Sequence, residues 1–257
     1  YVLGLKKKSY VQLSGLEQRI NSPQTRDLVR RLNLAAITVL SNKNHILPLH
    51  TDKEQKIALL EVGNPGKTDV LAKQLSRYTS LARFCLRANQ TEEENQRLRD
   101  SLSTYKRIIV AISEQRLASY QPFFAKFAPQ SPAIYLFFTP GKMMLQIQRA
   151  VAHASAVVLG HSYNVDVQRQ VADVLFAKAS ADGQLSASLG ELFPTGAGVT
   201  ITPKTPLHFV PTFFHSSETH RFYRIRRYSP RSLFRLPGGS VEKRAYHVRQ
   251  IFRHLCG

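Results

Sequence analysis

Two cysteines, Cys85 and Cys256, are the only thiols in 257 residues. One pair cannot set up a disulfide framework or supply a four-ligand zinc site. Cys85 lies in an apolar run, Phe84-Cys85-Leu86, and is expected to be a buried thiol. Long apolar stretches are missing too. No segment approaches the roughly 20 residues that cross a bilayer, so no membrane span is expected. The N-terminus does not read as a secretory signal: Tyr1 to Leu5 is apolar and Lys6-Lys7-Lys8 follows, the reverse of a signal's order. No Met opens the chain, and residues 1–21 read as the remnant of a linker from something longer.

Acidic residues are also scarce. There are 17 against 36 Lys and Arg, a net charge of +19. An excess of that size points to an anionic partner such as nucleic acid, but its distribution is uneven. Residues 207–257 hold ten Lys and Arg against Glu218 and Glu242, together with five of the nine His. This basic tail shows neither helical nor strand period, and no structure is expected of it. Its aromatics, Phe222, Tyr223, Tyr228 and Phe234, stand among arginines as in proteins that bind single-stranded nucleic acid. A basic nucleic-acid-binding protein is therefore one alternative reading.

What is present is a regular cadence of apolar runs. They are Ile57 to Gly63, the weaker Ala82 to Leu86, Arg107 to Ile112, Ala133 to Phe138 and Ala156 to Gly160. Four of the five are nearly continuous rather than alternating, which fits strands covered on both faces of a parallel sheet. Helical patterns lie between them. Val70, Leu71, Gln74 and Leu75 share a face in 68–78. Leu98 and Leu102 do so in 91–105, and Leu145, Ile147, Ala150 and Val151 in 142–154. In 165–178 the stripe is Val167, Val171, Val174 and Leu175, with Asn164 as N-cap. Upstream, Ser22-Pro23 opens a helix with the stripe Leu28, Leu32 and Ala35/Ala36. Residues 37–49 read as a strand, a polar turn and a short apolar return. The expected fold is α/β: a doubly wound, mainly parallel sheet with helices on both faces. Right-handed crossovers gather the strand C-terminal ends on one edge.

Chemistry-bearing patterns are few. Gly63-Asn64-Pro65-Gly66-Lys67-Thr68 lies between a strand and a helix, where anions bind, but it has neither the P-loop nor the dinucleotide spacing. It reads as a tight turn. His153 and His161 flank the last strand beside Ser155 and Ser162, without an elbow motif around either serine. His45, His50, His153 and His161 show no metal-ligand spacing. Asp166 and Asp173 share a helix face: Asp166 suits the helix N-terminus, and Asp173 is expected to tie a neighbouring loop. Glu92-Glu93-Glu94 is a solvated first turn. No cofactor is implied. A stand-alone flavodoxin-like ligand-binding domain is the second alternative.

The stretch Leu32 to Asn42 followed by Ile46-Leu47-Pro48-Leu49 resembles the start of the C-terminal domain of family 3 glycoside hydrolases. There an alanine-rich helix runs into a strand, a polar turn and Leu-Pro-Leu. Tyr163-Asn164 to Phe176, then Gly183-Gln184-Leu185-Ser186-Ala187-Ser188, resembles the closing helix and "G-x-L-P-V-S" strand of that domain, with Ser186 in place of the usual Pro. The match covers about residues 20–203. Gly15 to Asn21 with Thr25 to Leu28 is similar to the bacterial β-N-acetylhexosaminidase branch. The resemblance implies an α/β sandwich domain over residues 22–206. It also implies a carbohydrate substrate, a TIM-like barrel partner and a periplasmic or cell-envelope location. The family's aspartate nucleophile and the branch's histidine acid belong to that barrel, so no catalytic residue carries over.

The loops that would face the barrel are Gly63 to Lys67, Ser113 to Arg116, Thr139 to Lys142 and His161 to Asn164. Asn64, Lys67, Glu114, His161 and Asn164 are the substrate-proximal candidates. A β-lactamase-like domain often follows in that branch, yet residues 207–257 carry none of its signals. A one-base shift of the back-translated segment 245–257 permits H-I-M-Y-D-K-S-F-G, which resembles a strand of that domain. The tail is accordingly expected to be a frameshift product.

Overall fold

The structure, a computed structural model, describes residues 14–51, 54 and 56–203. The readings of the first 13 residues, Cys256 and the basic tail fall outside that set.

Along the chain come α1 (Leu16–Ile20), α2 (Pro23–Ala35), β1 (Thr38–Asn42), β2 (Lys56–Val62), α3 (Asp69–Leu75) and β3 (Ser80–Leu86). Then follow α4 (Glu92–Ser103), β4 (Ile108–Ile112), α5 (Gln121–Gln130), β5 (Ile134–Phe137), α6 (Gln148–Ala152), β6 (Ala156–Leu159) and α7 (Val165–Leu175). The six strands form one sheet in the order β1-β6-β5-β4-β2-β3. All neighbours are parallel except β1, which runs antiparallel to β6. This is the doubly wound, mainly parallel α/β sheet expected from the cadence of apolar runs.

Both faces of the sheet are buried, which is why its strands read as continuous apolar runs. In β4, Ile108, Val110 and Ile112 pack with Leu102 of α4, Phe123, Phe124 and Phe127 of α5 and Val151 of α6. Ile109 and Ala111, pointing the other way, pack with Leu71 and Leu75 of α3 and Val167, Val171 and Val174 of α7. β3 is an edge strand and only Leu86 in it is buried, so its run is the weakest. Cys85 in β3 is therefore half-buried, not enclosed, and its Sγ lies 3.4 Å from the Gly63 carbonyl.

Helix starts follow local chemistry. Ser22 accepts the Thr25 N–H ahead of Pro23. Thr91 and Glu94 form a reciprocal capping box, and Asn164 accepts the Asp166 N–H at 2.8 Å. Glu92, in the charged first turn of α4, pairs with Arg99 at 2.6 Å and Lys126 at 2.7 Å.

Several expectations change. Segment 121–130, with Pro122 and Pro129 around three phenylalanines, forms α5, which periodicity did not indicate. Segment 141–147 is a 3-10 helix before α6, and this turns Met144 inward and leaves Leu145 exposed. The helix expected over 68–78 is α3 preceded by a 3-10 turn, Pro65–Thr68. Residues 46–49 are irregular although Leu47 and Leu49 are buried. The apolar stripe of α2 faces outward: Leu28 is 47% and Leu32 60% exposed, and Ala35 and Ala36 are exposed too.

Gly183 to Ser188 is not a strand. Residues 181–201 form a strap closed by the Ala181–Ile201 bridge. Val199 N–H donates to Val39 O at 2.7 Å along the free edge of β1, which hides an otherwise sticky sheet edge. No helix among the described residues is long and apolar enough to cross a membrane.

Candidate functional site

Strand order locates the site. From β2 the chain moves outward to β3, then returns across β2 to β4 and continues to β5 and β6. The turns after β2 and β4 therefore leave the same edge toward opposite faces, and ligands of open α/β sheets bind at such a switch point.

The turn after β2 is built tightly. Gly63 sits at φ +93, and the Glu114 side chain occupies the place a Cβ would take, so glycine is required there. Asn64 Oδ1 accepts the Gly66 N–H at 2.9 Å, and Asn64 O accepts the Lys67 N–H at 3.2 Å. Lys67 Nζ reaches across the switch point to Glu114 Oε1 at 3.0 Å, the two side chains being 35% and 29% exposed. The same ammonium lies 5.9 Å from the centre of the Tyr163 ring, within cation–π range.

Beneath the turn lies a buried carboxylate. Glu61, 3% exposed at its side chain, receives Arg83 through Nε and Nη2, both at 2.9 Å, and Thr68 Oγ1 at 2.6 Å. Arg83 also pairs with Asp69 at 2.6 Å. These carboxylates, Glu61 first, raise the Arg83 pKa against the opposing cost of burial. A buried charge is tolerated only when paired and hydrogen-bonded, and this network fixes the start of α3.

On the other side, the turn after β6 is held by Gln168, a buried residue of α7. Its Nε2 donates to Lys67 O at 2.9 Å and Tyr163 O at 2.6 Å, and its Oε1 accepts the Leu71 N–H at 3.0 Å. Every hydrogen-bonding position of the amide N and one lone pair of the amide O are used. Asp173, further along α7, accepts Gln74 Nε2 at 2.6 Å and Tyr78 OH at 2.7 Å, tying α7 to α3 and the turn after it. Between the turns lies an open cleft of about 720 Å³, whose lining includes Asn64, Lys67, Val70, Tyr163, Asn164 and Gln168.

Three of the five sequence candidates, Asn64, Lys67 and Asn164, line this cleft. Glu114 meets it through Lys67. His161, exposed and at φ 62, is not among the residues that line it. Desolvation lowers the His161 pKa and the nearby Ala36 backbone opposes the shift. Tyr163 and Gln168 were not singled out. Tyr163 lay inside a named loop, and Gln168 was visible as a polar residue beside the apolar stripe of α7. At the ends of β4 and β5, Ser113 Oγ and Thr139 Oγ1 are buried with no hydrogen-bond partner among the described residues.

The backbone donors of the β2–α3 turn are largely used internally. Asn64 consumes the Gly66 and Lys67 N–H groups, and the Lys67 charge is neutralised by Glu114. This agrees with the reading of Gly63 to Thr68 as a tight turn rather than an anion-binding loop. No group of three or more His, Cys, Asp or Glu among the described residues is placed to hold a metal ion.

No protein-family profile matches the chain, and no curated protein matches it either. Solved structures do. A β-glucosidase from Listeria innocua in complex with glucose is 17% identical over 67% of this chain and 28% of its own, with a TM-score of 0.50. The same enzyme without the glucose complex matches 88% of this chain and 32% of its own at 15% identity and TM-score 0.50. A fungal multi-domain GH3 β-N-acetylglucosaminidase matches 77% of this chain and 22% of its own at 12% identity and TM-score 0.54. These likenesses are of fold, and the chain spans about a third or less of each of these proteins.

Proposed function

We propose that residues 22–206 are the C-terminal α/β sandwich domain of a family 3 glycoside hydrolase of the β-N-acetylhexosaminidase branch. On this reading, hydrolysis of terminal O-glycosidic bonds takes place at a carboxylate of a TIM-like barrel, and this domain helps enclose the sugar. Residues 1–21 are then the end of a linker, residues 207–257 a frameshifted tail, and the whole enzyme a periplasmic or cell-envelope protein.

One observation carries the proposal. The mainly parallel six-stranded α/β fold is similar to part of a β-glucosidase and of a β-N-acetylglucosaminidase, each extending well beyond the matched region. The sequence motifs that resemble the family, Leu32 to Leu49 and Tyr163 to Ser188, fall on α2–β1 and on α7 with its strap. The cleft edge carries the loops that would face a barrel. A chain acting beside a larger catalytic domain needs no nucleophile–base pair of its own, and none of the His–Ser neighbours around β6 forms one.

The test is to read the gene on both sides of this sequence and express what it encodes. A barrel frame before Tyr1, and a joined polypeptide that hydrolyses an aryl β-N-acetylglucosaminide, are expected. An intact upstream frame encoding no barrel overturns the proposal. An open frame through residues 207–257 with no homologous alternative reading removes the frameshift.

A further inference from the structure

We propose that two copies of this chain pair edge to edge through β3, so that one sheet continues across a two-fold axis. The proposal stands apart from the glycosidase reading and uses no residue that lines the cleft.

Strand β3 ends the sheet and pairs only with β2, over seven residues in unbroken register. One hydrogen bond fixes which of its amides face outward. Leu86 O accepts the Gly63 N–H at 2.9 Å, so Leu86 faces β2. The N–H and C=O of one strand residue point to the same edge, and successive residues alternate. Ser80, Ala82 and Phe84 therefore face β2 as well. Leu81, Arg83 and Cys85 hold their N–H and C=O groups outward, and none of these groups has a partner among the described residues.

Sheet edges are usually blunted by Pro, Lys, a bulge or a covering segment. β1 has two such devices: a register shift between Val39 and Ser41, and the strap whose Val199 N–H donates to Val39 O at 2.7 Å. β3 has none of them. It contains no Pro, Lys or Gly and no bulge. Its one charge, Arg83, is held by Glu61 and Asp69 of the same chain. Leu81 and Phe84 are half-buried, one at the margin of each core layer.

What a second copy can offer identifies the occupant. The edge calls for an extended segment with its own row of unpaired N–H and C=O groups. Strands β6, β5, β4 and β2 each have a strand on both sides, and β1 carries the strap. Among the described residues β3 is thus the strand that meets the requirement, and two copies satisfy each other by an isologous contact. Two-fold symmetry makes the pairing antiparallel, with outward residues facing outward residues. An axis at Arg83 would set two guanidinium groups opposite each other, which is unfavourable. An axis at Ala82 would set Phe84 opposite Ser80. An axis at Phe84 sets the two Phe84 rings opposite each other, Arg83 opposite Cys85 of the second copy and Ala82 opposite Leu86. Aromatic and apolar cross-strand pairs of that kind are stabilising, so the geometry favours this register.

A single strand pair is small beside the roughly 1,200–2,000 Å² of a stable interface. The chain's net charge of +19 also opposes association. The dimer is accordingly weak, half-formed on the order of 100 μM, and it tightens as salt screens the repulsion.

The test uses the purified full chain, with reductant present to exclude a disulfide between copies, well below and well above that concentration. Sedimentation gives the mass, and amide exchange by nuclear magnetic resonance reads β3 residue by residue. A monomer is expected at the lower concentration and a dimer at the higher one. The Arg83 and Cys85 amides exchange several-fold more slowly in the dimer, while Ala82, Phe84 and Leu86, already in the β2 ladder, change little. Cys85→Pro removes an outward donor and no ladder bond, and weakens the dimer about tenfold. Cys85→Ser keeps the N–H and dimerises like the native chain. Unchanged exchange at Ala82 and Leu86 verifies that the proline variant keeps its sheet; if it does not fold, exchange in the native chain decides alone.

A chain that stays monomeric at the higher concentration overturns the proposal. So does protection of Arg83 and Cys85 that is equal at both concentrations, because another segment of the same chain then covers the edge. A dimer that salt dissolves, or one that leaves both amides exchanging as in the monomer, rests on other contacts and overturns it too.

Discussion

Replacing Arg83 with alanine strands the Glu61 carboxylate. Arg83 lies diagonally across the β2–β3 pair, opposite Leu59 and two residues from the Glu61–Cys85 pairing. That register lets its guanidinium fork onto both Glu61 oxygens at 2.9 Å. Once it is gone, a side chain only 3% exposed keeps a negative charge supported by the Thr68 hydroxyl alone. Breaking a fully buried pair from one side costs about 3–5 kcal/mol. Arg83 is itself 43% exposed, so water follows it out of the site and the cost falls to about 2–3 kcal/mol. For a domain of this size that is a drop of about 5–10 °C in melting temperature. Asp69→Ala removes a partner that is 62% exposed and costs no more than about 1 kcal/mol. Urea unfolding followed by circular dichroism separates the two. The double change Glu61→Leu with Arg83→Leu recovers part of the loss, because no charge remains buried. If Arg83→Ala proves no more costly than Asp69→Ala, Glu61 is not desolvated and the network does not hold the β2–α3 turn.

Gln168→Leu removes three hydrogen bonds and leaves the buried Leu71 N–H unpaired, for a loss of about 2–4 kcal/mol. Amide exchange at Leu71 accelerates if this holds; unchanged exchange contradicts it. Gly183→Ala places a Cβ 2.5 Å from Ile37 O and 2.7 Å from Thr38 Oγ1, a backbone contact that cannot yield, and costs about 1–3 kcal/mol in urea. Burial, and then its hydrogen bond to Asp173, pushes the Tyr78 pKa from 10.0 up to about 12. The folded chain holds that proton longer than the unfolded one, so this stability is complete below about pH 10 and is lost as the pH rises toward about 12. Tyr78→Phe flattens the alkaline stability profile over that window, though buried Tyr135, also raised by desolvation, keeps some slope.

The doubly wound sheet was legible because both of its faces are covered, which forces consecutive apolar residues into each inner strand. The edge strand β3, half-exposed, was correspondingly faint. Helix α5 was hidden by its composition: Phe123, Phe124 and Phe127 bury one side, but two prolines and adjacent phenylalanines blur the 3.6-residue period. Helix α2 was read from its stripe, yet the stripe faces away from the sheet, because periodicity reports an apolar face and not what that face meets. The edge carrying the cleft followed from the topology of parallel crossovers. The pairing within it did not, since Lys67 and Glu114 are 47 residues apart and only the strand order brings their turns together. His161 read as a loop residue of that edge, but at φ 62 it falls outside the cleft lining.

On the proposed reading this domain accompanies a catalytic domain and does not act alone. The most direct measurement is turnover of an aryl β-N-acetylglucosaminide by the purified chain, run beside an identically purified vector control. The expected result is release of the aryl group no faster than in the control. Release above the control that disappears on substituting a residue within 14–203 would place the chemistry in this sheet and its turns, and would contradict the account.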